Sequence, residues 1–170
     1  SGDVLRSCGL KEAIDAAARE GGWSSKRRRS DWRSPARTKR GVGISACSMF
    51  SGSPYYPFGS AALIKMHDDG GATLFAGTVE MGQGSETTLS QVAAEELGVP
   101  LADIRIVAGD TELTPIEFGS FLSGGAFVTG KAVRAAAADA KRQLLETAER
   151  LLETDRRDLE ARDKRVYVKG

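Results

Sequence analysis

The sequence predicts an α+β fold, a mixed β-sheet packed against two main helices. Three observations predict it. AALIKMH, DDGG and ATLFAG read as strand, turn and strand. Leu89, Val92, Ala93 and Leu97 form a helical stripe that leads into IRIVAG, a strand of alternating character. Val133, Ala137, Ala140, Leu144, Ala148 and Leu151 form a second, longer stripe at helical spacing. Strands and helices that mix without a regular βαβ alternation indicate α+β.

Taken in order, Leu10 to Glu20 predicts a short helix, with Leu10, Ile14, Ala17 and Ala18 on one side and Gly21-Gly22 as its stop. Ser24 to Arg40 is basic, carries one aspartate and a proline, and reads as a linker or exposed loop. GVGISACSMFSG reads as a strand of small and apolar residues, and SPYYPFGS as a loop around Pro54 and Pro57. The hairpin follows, and then a helix from about Ser85 to Leu97. Gly98 stands at a C-cap position, with Pro100 after it. Ile104 to Gly109 is a strand, and DTELTPIEFGSFLSGG is turn-rich. The long helix is expected over residues 127–153, and DLEARDKRVYVKG splits into two short strands around Arg162 to Lys164. The expected organisation is therefore an N-terminal helical segment (1–23), a basic linker (24–40) and an α+β subdomain (41–170).

The 170 residues are 41% hydrophobic and 28% charged, with a formal net charge of +1. That is enough chain for a sizeable core, and no global field points to nucleic acid or membrane. No run approaches the ~18 apolar residues of a membrane span. No apolar signal region stands at the N-terminus, so a cytoplasmic location is expected. Cys8 and Cys47 fit no ligand spacing and read as reduced thiols. His67 is the one histidine and cannot by itself supply a triad or zinc site.

The most informative stretch is GTVEMGQGSETTLSQVAAEELGV, in which Gly82-Gln83-Gly84 opens a helix. Glycines there permit unusual backbone angles and close approach, and a helix start suits an anion. It is no P-loop, because Gln83-Gly84 replaces Lys-Ser/Thr. It is no Rossmann fingerprint either, because Thr87 replaces the third glycine. Two readings remain: a packing turn, or a site where the Gln83 amide meets a polar, uncharged group. Glu80, Glu86, Asp110, Glu112 and Glu117 invite an acid/base reading. The plainer expectation is that Glu80 closes a loop hydrogen bond, Glu86 interacts with the helix N-terminus and Asp110 opens a turn. The basic stretch with Trp32 is compatible with single-stranded nucleic acid, and more commonly marks a solvated linker. Tyr55 and Tyr56 read as a packed loop.

GTVEMGQGSETTLSQVAAEELGVP, IRIVAGDTELTP and GSFLSGGAFVTGKAV, in that order, resemble the molybdenum-cofactor-binding subunit of the xanthine dehydrogenase and aldehyde oxidase family. The resemblance is strongest from Arg40 to about Val133 and reaches the terminal hairpin. It implies a molybdopterin, in some members as the cytosine dinucleotide, and hydroxylation or reductive dehydroxylation of a small organic substrate. It implies iron–sulfur clusters and FAD on partner domains or subunits. By resemblance, Gly82, Gln83, Gly84, Ser123, Gly124 and Gly125 are the cofactor-binding residues, with no direct metal ligand. Gly124 stands where many bacterial members carry an arginine. The family's glutamate motif and four-cysteine sets are not found among these residues, so the resemblance implies part of a larger subunit with no catalytic residue of its own. The alternative is a non-catalytic α+β binding or assembly module, with nucleic acid bound through residues 26–40.

Overall fold

The computed structural model describes residues 7–28, 35, 37–47 and 59–170. The chain divides into two compact units, Ser1–Met49 and Phe50–Gly170.

In the first unit, helix α1 (Leu10–Glu20) buries none of its residues. It ends at Gly21, whose N–H donates to Ala17 O at 2.8 Å. Part of the expected linker is helical instead, as α2 (Trp23–Arg28). Gly22, at φ +64°, turns the chain, and its carbonyl accepts from Lys26 N and Ser25 Oγ. The Arg27 guanidinium lies over the Trp23 ring, 5.1 Å from its centre. Local hydrogen bonds and this stacking hold a turn that composition alone assigns to a linker. Residues 41–47 form no strand, contrary to expectation. Gly41, Gly43, Ser45 and Ala46 offer little side-chain area to a sheet, so a strand there needs a pairing partner. The remainder of that segment, with Tyr55 and Tyr56, lies outside the described residues, as do Arg29 to Ser34 and Ala36 of the basic stretch.

The second unit is α+β, as expected. Strand β1 (Ala62–Met66) pairs antiparallel with β2 (Ala72–Ala76), with Ile64 opposite Leu74. Strand β3 (Ile104–Ala108) pairs parallel with β2, with Leu74 opposite Ile106. The parallel pairing requires a crossover, supplied by α3 (Ser85–Leu97). The long helix α4 (Gly130–Leu152) begins later than expected, after a wide π-turn over Gly125–Thr129. Strands β4 (Leu159–Arg162) and β5 (Arg165–Val168) form the terminal hairpin. Asp163 and Lys164 both take left-handed φ at its tip, as a tight hairpin turn demands.

Strand β2 is central and nearly all buried, so alternate residues meet the helices. Ala72, Leu74 and Ala76 pack with Leu89, Ala93 and Leu97 of α3 and Val133 and Ala137 of α4. Alanines at these contacts let both helices lie close on the sheet. Gly98 ends α3 at φ +77°, its N–H donating to Ala94 O at 2.9 Å. The sheet and the helix starts then fix two bends: one leaving β2 toward α3, the other approaching α4.

Candidate functional site

The first bend runs from Gly77 to Ser85. Gly77 is glycine for lack of room, since a Cβ would lie 2.6 Å from both Pro115 O and Glu117 Cβ. Gly82 and Gly84 are different. Nothing lies within 4 Å of a Cβ at either position, but their φ values of +94° and +74° exclude most side chains.

Within this bend Glu80 holds the turn. One carboxylate oxygen accepts from Gly82 N at 2.8 Å and Gly84 N at 2.9 Å. The other accepts from Glu86 N at 3.3 Å and Ser85 Oγ at 3.4 Å. The donors at the start of α3 thus face a carboxylate from their own chain. The Gly84 N–H, followed by those of Glu86 and Gly82 and the Ser85 hydroxyl, holds the Glu80 carboxyl below its ordinary range. Glu80 therefore closes the loop as expected, whereas the role at the helix N-terminus expected of Glu86 also falls to Glu80. Glu86 contributes its main-chain N–H.

The Gln83 amide is also engaged. Its oxygen accepts from Met81 N at 2.6 Å, and its nitrogen donates to Val79 O at 2.8 Å and Ser85 Oγ at 3.1 Å. Two side chains, one charged and one neutral, tie eight residues of turn into one shape.

The second bend runs from Asp110 to the π-turn. Asp110 opens it as expected, Oδ1 accepting from Glu112 N and Leu113 N at 2.8 and 3.0 Å. Glu117 anchors its middle: one carboxylate oxygen accepts from Ser60 Oγ at 2.5 Å and from the buried Thr129 Oγ1 at 2.9 Å. Leu122 and Ser123 take φ of +51° and +55°, conformations costly for residues with a Cβ. The Gly124 N–H donates to Phe121 O at 2.9 Å.

Ser120 joins the two bends. Its hydroxyl lies 3.2 Å from Thr78 Oγ1 and accepts from Val79 N at 3.4 Å. Between the bends is a pocket of about 370 Å³, lined by residues that include Gln83, Ser123, Gly124 and Gly125. Gly82 and Gly84 are absent from its lining and act by shaping the first bend. Met81, Ser85, Thr88, Leu89, Ser120, Phe121 and Ala126 complete the wall. Sequence reasoning gave none of these a site role, although it placed Ser85 and Leu89 on the helix; their nearness to the two glycine motifs was the available signal.

The lining carries no charged side chain. Gly125 has an ordinary φ, and a Cβ there meets nothing within 4 Å. Neither its backbone nor its packing in this chain therefore calls for glycine. The wall offers hydroxyls, one amide, main-chain groups and apolar faces. The surface is mostly apolar with a few polar edges, which fits a neutral, flat ring system approaching close to the main chain, such as the pterin portion of a cofactor. Among the described residues, no group of three His, Cys, Asp or Glu could hold a metal, and Cys8 and Cys47 are free and exposed.

Comparison with known proteins bears on the family of the chain. The family model for the molybdopterin cofactor-binding domain matches residues 16–170. The chain is 33% identical over 149 residues to the xanthine dehydrogenase molybdenum-binding subunit of Escherichia coli O157:H7, covering 85% of this chain and 19% of that protein. It is 36% identical over 172 residues to the 6-hydroxypseudooxynicotine dehydrogenase complex subunit gamma of Paenarthrobacter nicotinovorans, covering 100% of this chain and 20% of that protein. Quinoline 2-oxidoreductase from Pseudomonas putida 86 superimposes with a TM-score of 0.63 at 27% identity, covering 98% of this chain and 22% of that one. The chain thus spans about a fifth of the length of the relatives it matches. On the ordered motifs, the α+β architecture and these matches, the chain belongs to the molybdopterin cofactor-binding domain family of the molybdenum hydroxylase large subunits.

Proposed function

We propose that this chain is the part of a molybdenum hydroxylase large subunit that forms one wall of the molybdopterin site. The observation that carries the reading is the convergence of Gln83 with Ser123, Gly124 and Gly125 on one pocket, although 40 residues separate the motifs, from position 83 to position 123. When bound, the cofactor supplies two-electron redox chemistry at its metal. This chain's residues bind and orient. Gln83 holds the first bend and presents its amide to the pocket. Ser123, Gly124 and Gly125 present main-chain groups to a ligand edge, and Phe121 and Met81 offer it apolar surface.

The neutral wall leaves the phosphate of the cofactor, and the cytosine nucleotide where present, to residues elsewhere in the subunit. The glutamate base, the iron–sulfur clusters and the flavin are assigned to other parts of the subunit or to partner subunits, and the substrate to the small organic molecules. Among the described residues no helix is long and apolar enough to cross a membrane. We place the assembled enzyme in the cytoplasm.

The test is co-expression of the complete large subunit with its partner subunits, followed by elemental analysis for molybdenum. Gly125→Leu, which fills the space at the pocket wall, is expected to lose most of the metal while the subunit remains folded. A complete wild-type subunit that carries no molybdenum would overturn the reading.

A further inference from the structure

We propose that Glu80 is the positioning residue of this site: its carboxylate holds the Gly82-Gln83-Gly84 turn in the one shape that faces Gln83 toward the cofactor. The inference rests on the cofactor reading above and deepens it.

The geometry carries it. Four donors, Gly82 N, Gly84 N, Glu86 N and Ser85 Oγ, converge on the two oxygens of one side chain at 2.8 to 3.4 Å. Gly82 and Gly84 take positive φ with open space at each Cβ position, so no side-chain crowding there fixes the turn. Such a turn is held by its hydrogen bonds. A carboxylate is the strongest acceptor available to main-chain N–H groups at a helix start. Gln83 then completes the shape from the opposite side, and it shares Ser85 Oγ with Glu80. Removing the carboxylate leaves the N–H groups of Gly82, Gly84 and Glu86 without their acceptor, while Ser85 Oγ keeps Val79 O and the Gln83 amide. The backbone on both sides of Gln83 is then free to shift, and the Gln83 amide, still tied to Met81 N, Val79 O and Ser85 Oγ, shifts with it at the pocket wall.

Glu80 is absent from the pocket lining, so it acts on the cofactor only through the turn. That separates this role from the acid/base role its sequence position suggests. A carboxylate that accepts four hydrogen bonds and stays ionised is a poor proton carrier near neutral pH.

The experiment uses the complete large subunit with its partners and compares wild type, Glu80→Ala, Glu80→Gln and a surface control, Glu95→Gln. It measures molybdenum per subunit, the Mo(V) electron paramagnetic resonance spectrum, kcat and KM, and thermal unfolding. Supporting groups around metal sites typically change affinity or activity about 10- to 100-fold. Glu80→Ala is expected to fall in that range for metal content or kcat, with a changed Mo(V) spectrum and KM within about twofold. Glu80→Gln keeps one acceptor oxygen for Gly82 and Gly84 and turns a donor toward Glu86 N, so it should fall between. Glu80→Gln also serves if Glu80→Ala does not fold. Wild-type metal content, spectrum and kcat in both Glu80 variants would overturn the proposal. So would a loss of folding in both with an unchanged spectrum in the folded remainder, since that is a structural role alone. A wild-type subunit without molybdenum instead overturns the cofactor reading.

Discussion

The Ser120 hydroxyl lies 3.2 Å from that of Thr78 and joins the bend leaving β2 to the bend approaching α4. Thr78 is 1% exposed, so its hydroxyl cannot turn to water when Ser120 is removed. Ser120→Ala is expected to destabilise the chain by about 1–3 kcal/mol, the cost of a buried polar group left unpaired. Thr78→Val in the same background removes the orphaned hydroxyl, so the double variant should cost less than the sum of the singles. Denaturant midpoints for the four proteins of this cycle decide it; additive losses refute the coupling.

Two glycines invite the same substitution with opposite results. At Gly98 an added Cβ would collide with the Ala161 carbonyl oxygen, in a residue already at φ +77°. Gly98→Ala should therefore cost about 3 kcal/mol or more. At Gly125 the added methyl meets nothing within 4 Å and the φ is ordinary. Gly125→Ala should stay within about 0.5 kcal/mol of wild type. Chemical denaturation of both variants tests the contrast, which fails if Gly125→Ala proves the more costly.

Gln83→Ala removes the acceptor for Met81 N and the donor to Val79 O. The Met81 amide is expected to exchange with solvent at least about tenfold faster, corresponding to about 1.4 kcal/mol of lost protection. Amides within β2 should keep their rates. Hydrogen–deuterium exchange read residue by residue is the measurement, and an unchanged Met81 rate rules out the proposed tie.

Asp155 begins the turn that leads into β4. The Arg157 guanidinium, and then the Arg157 N–H, lower its carboxyl from 3.8 to about 2. A carboxyl lowered on folding stabilises the fold fully above its unfolded value, and this contribution is lost as pH falls through the folded value. Asp155 should therefore hold the turn at pH 5 and release it between about pH 4 and pH 2. NMR titration of the Asp155 side chain and the Arg157 amide follows this directly. Asp155→Asn should abolish the step, and a titration midpoint near 4 would refute it.

How much of this was legible beforehand depends on the range of the forces involved. The sequence by itself determined the hairpin, α3 with its Gly98 cap, β3, the Val133, Ala137 and Ala148 part of the α4 stripe (Leu144 and Leu151 are exposed) and the order of the two glycine motifs. Those features rest on periodicity, turn residues and neighbours a few positions apart. It did not determine whether residues 41–47 pair, because a run of small residues becomes a strand only beside a partner. It did not find α2, whose stacking of Arg27 on Trp23 is invisible to composition. Tertiary structure alone decided that the bends at Gln83 and Ser123 share a pocket, and that Glu117 binds Ser60 across 57 residues. The loop-closing role of Glu80, by contrast, was expected from the chain, because its partners Gly82, Gly84 and Glu86 lie within six residues of it. Hydrogen bonds between distant residues exist only where the packed sheet and helices bring the groups within about 3 Å, and no local pattern in the chain encodes that approach.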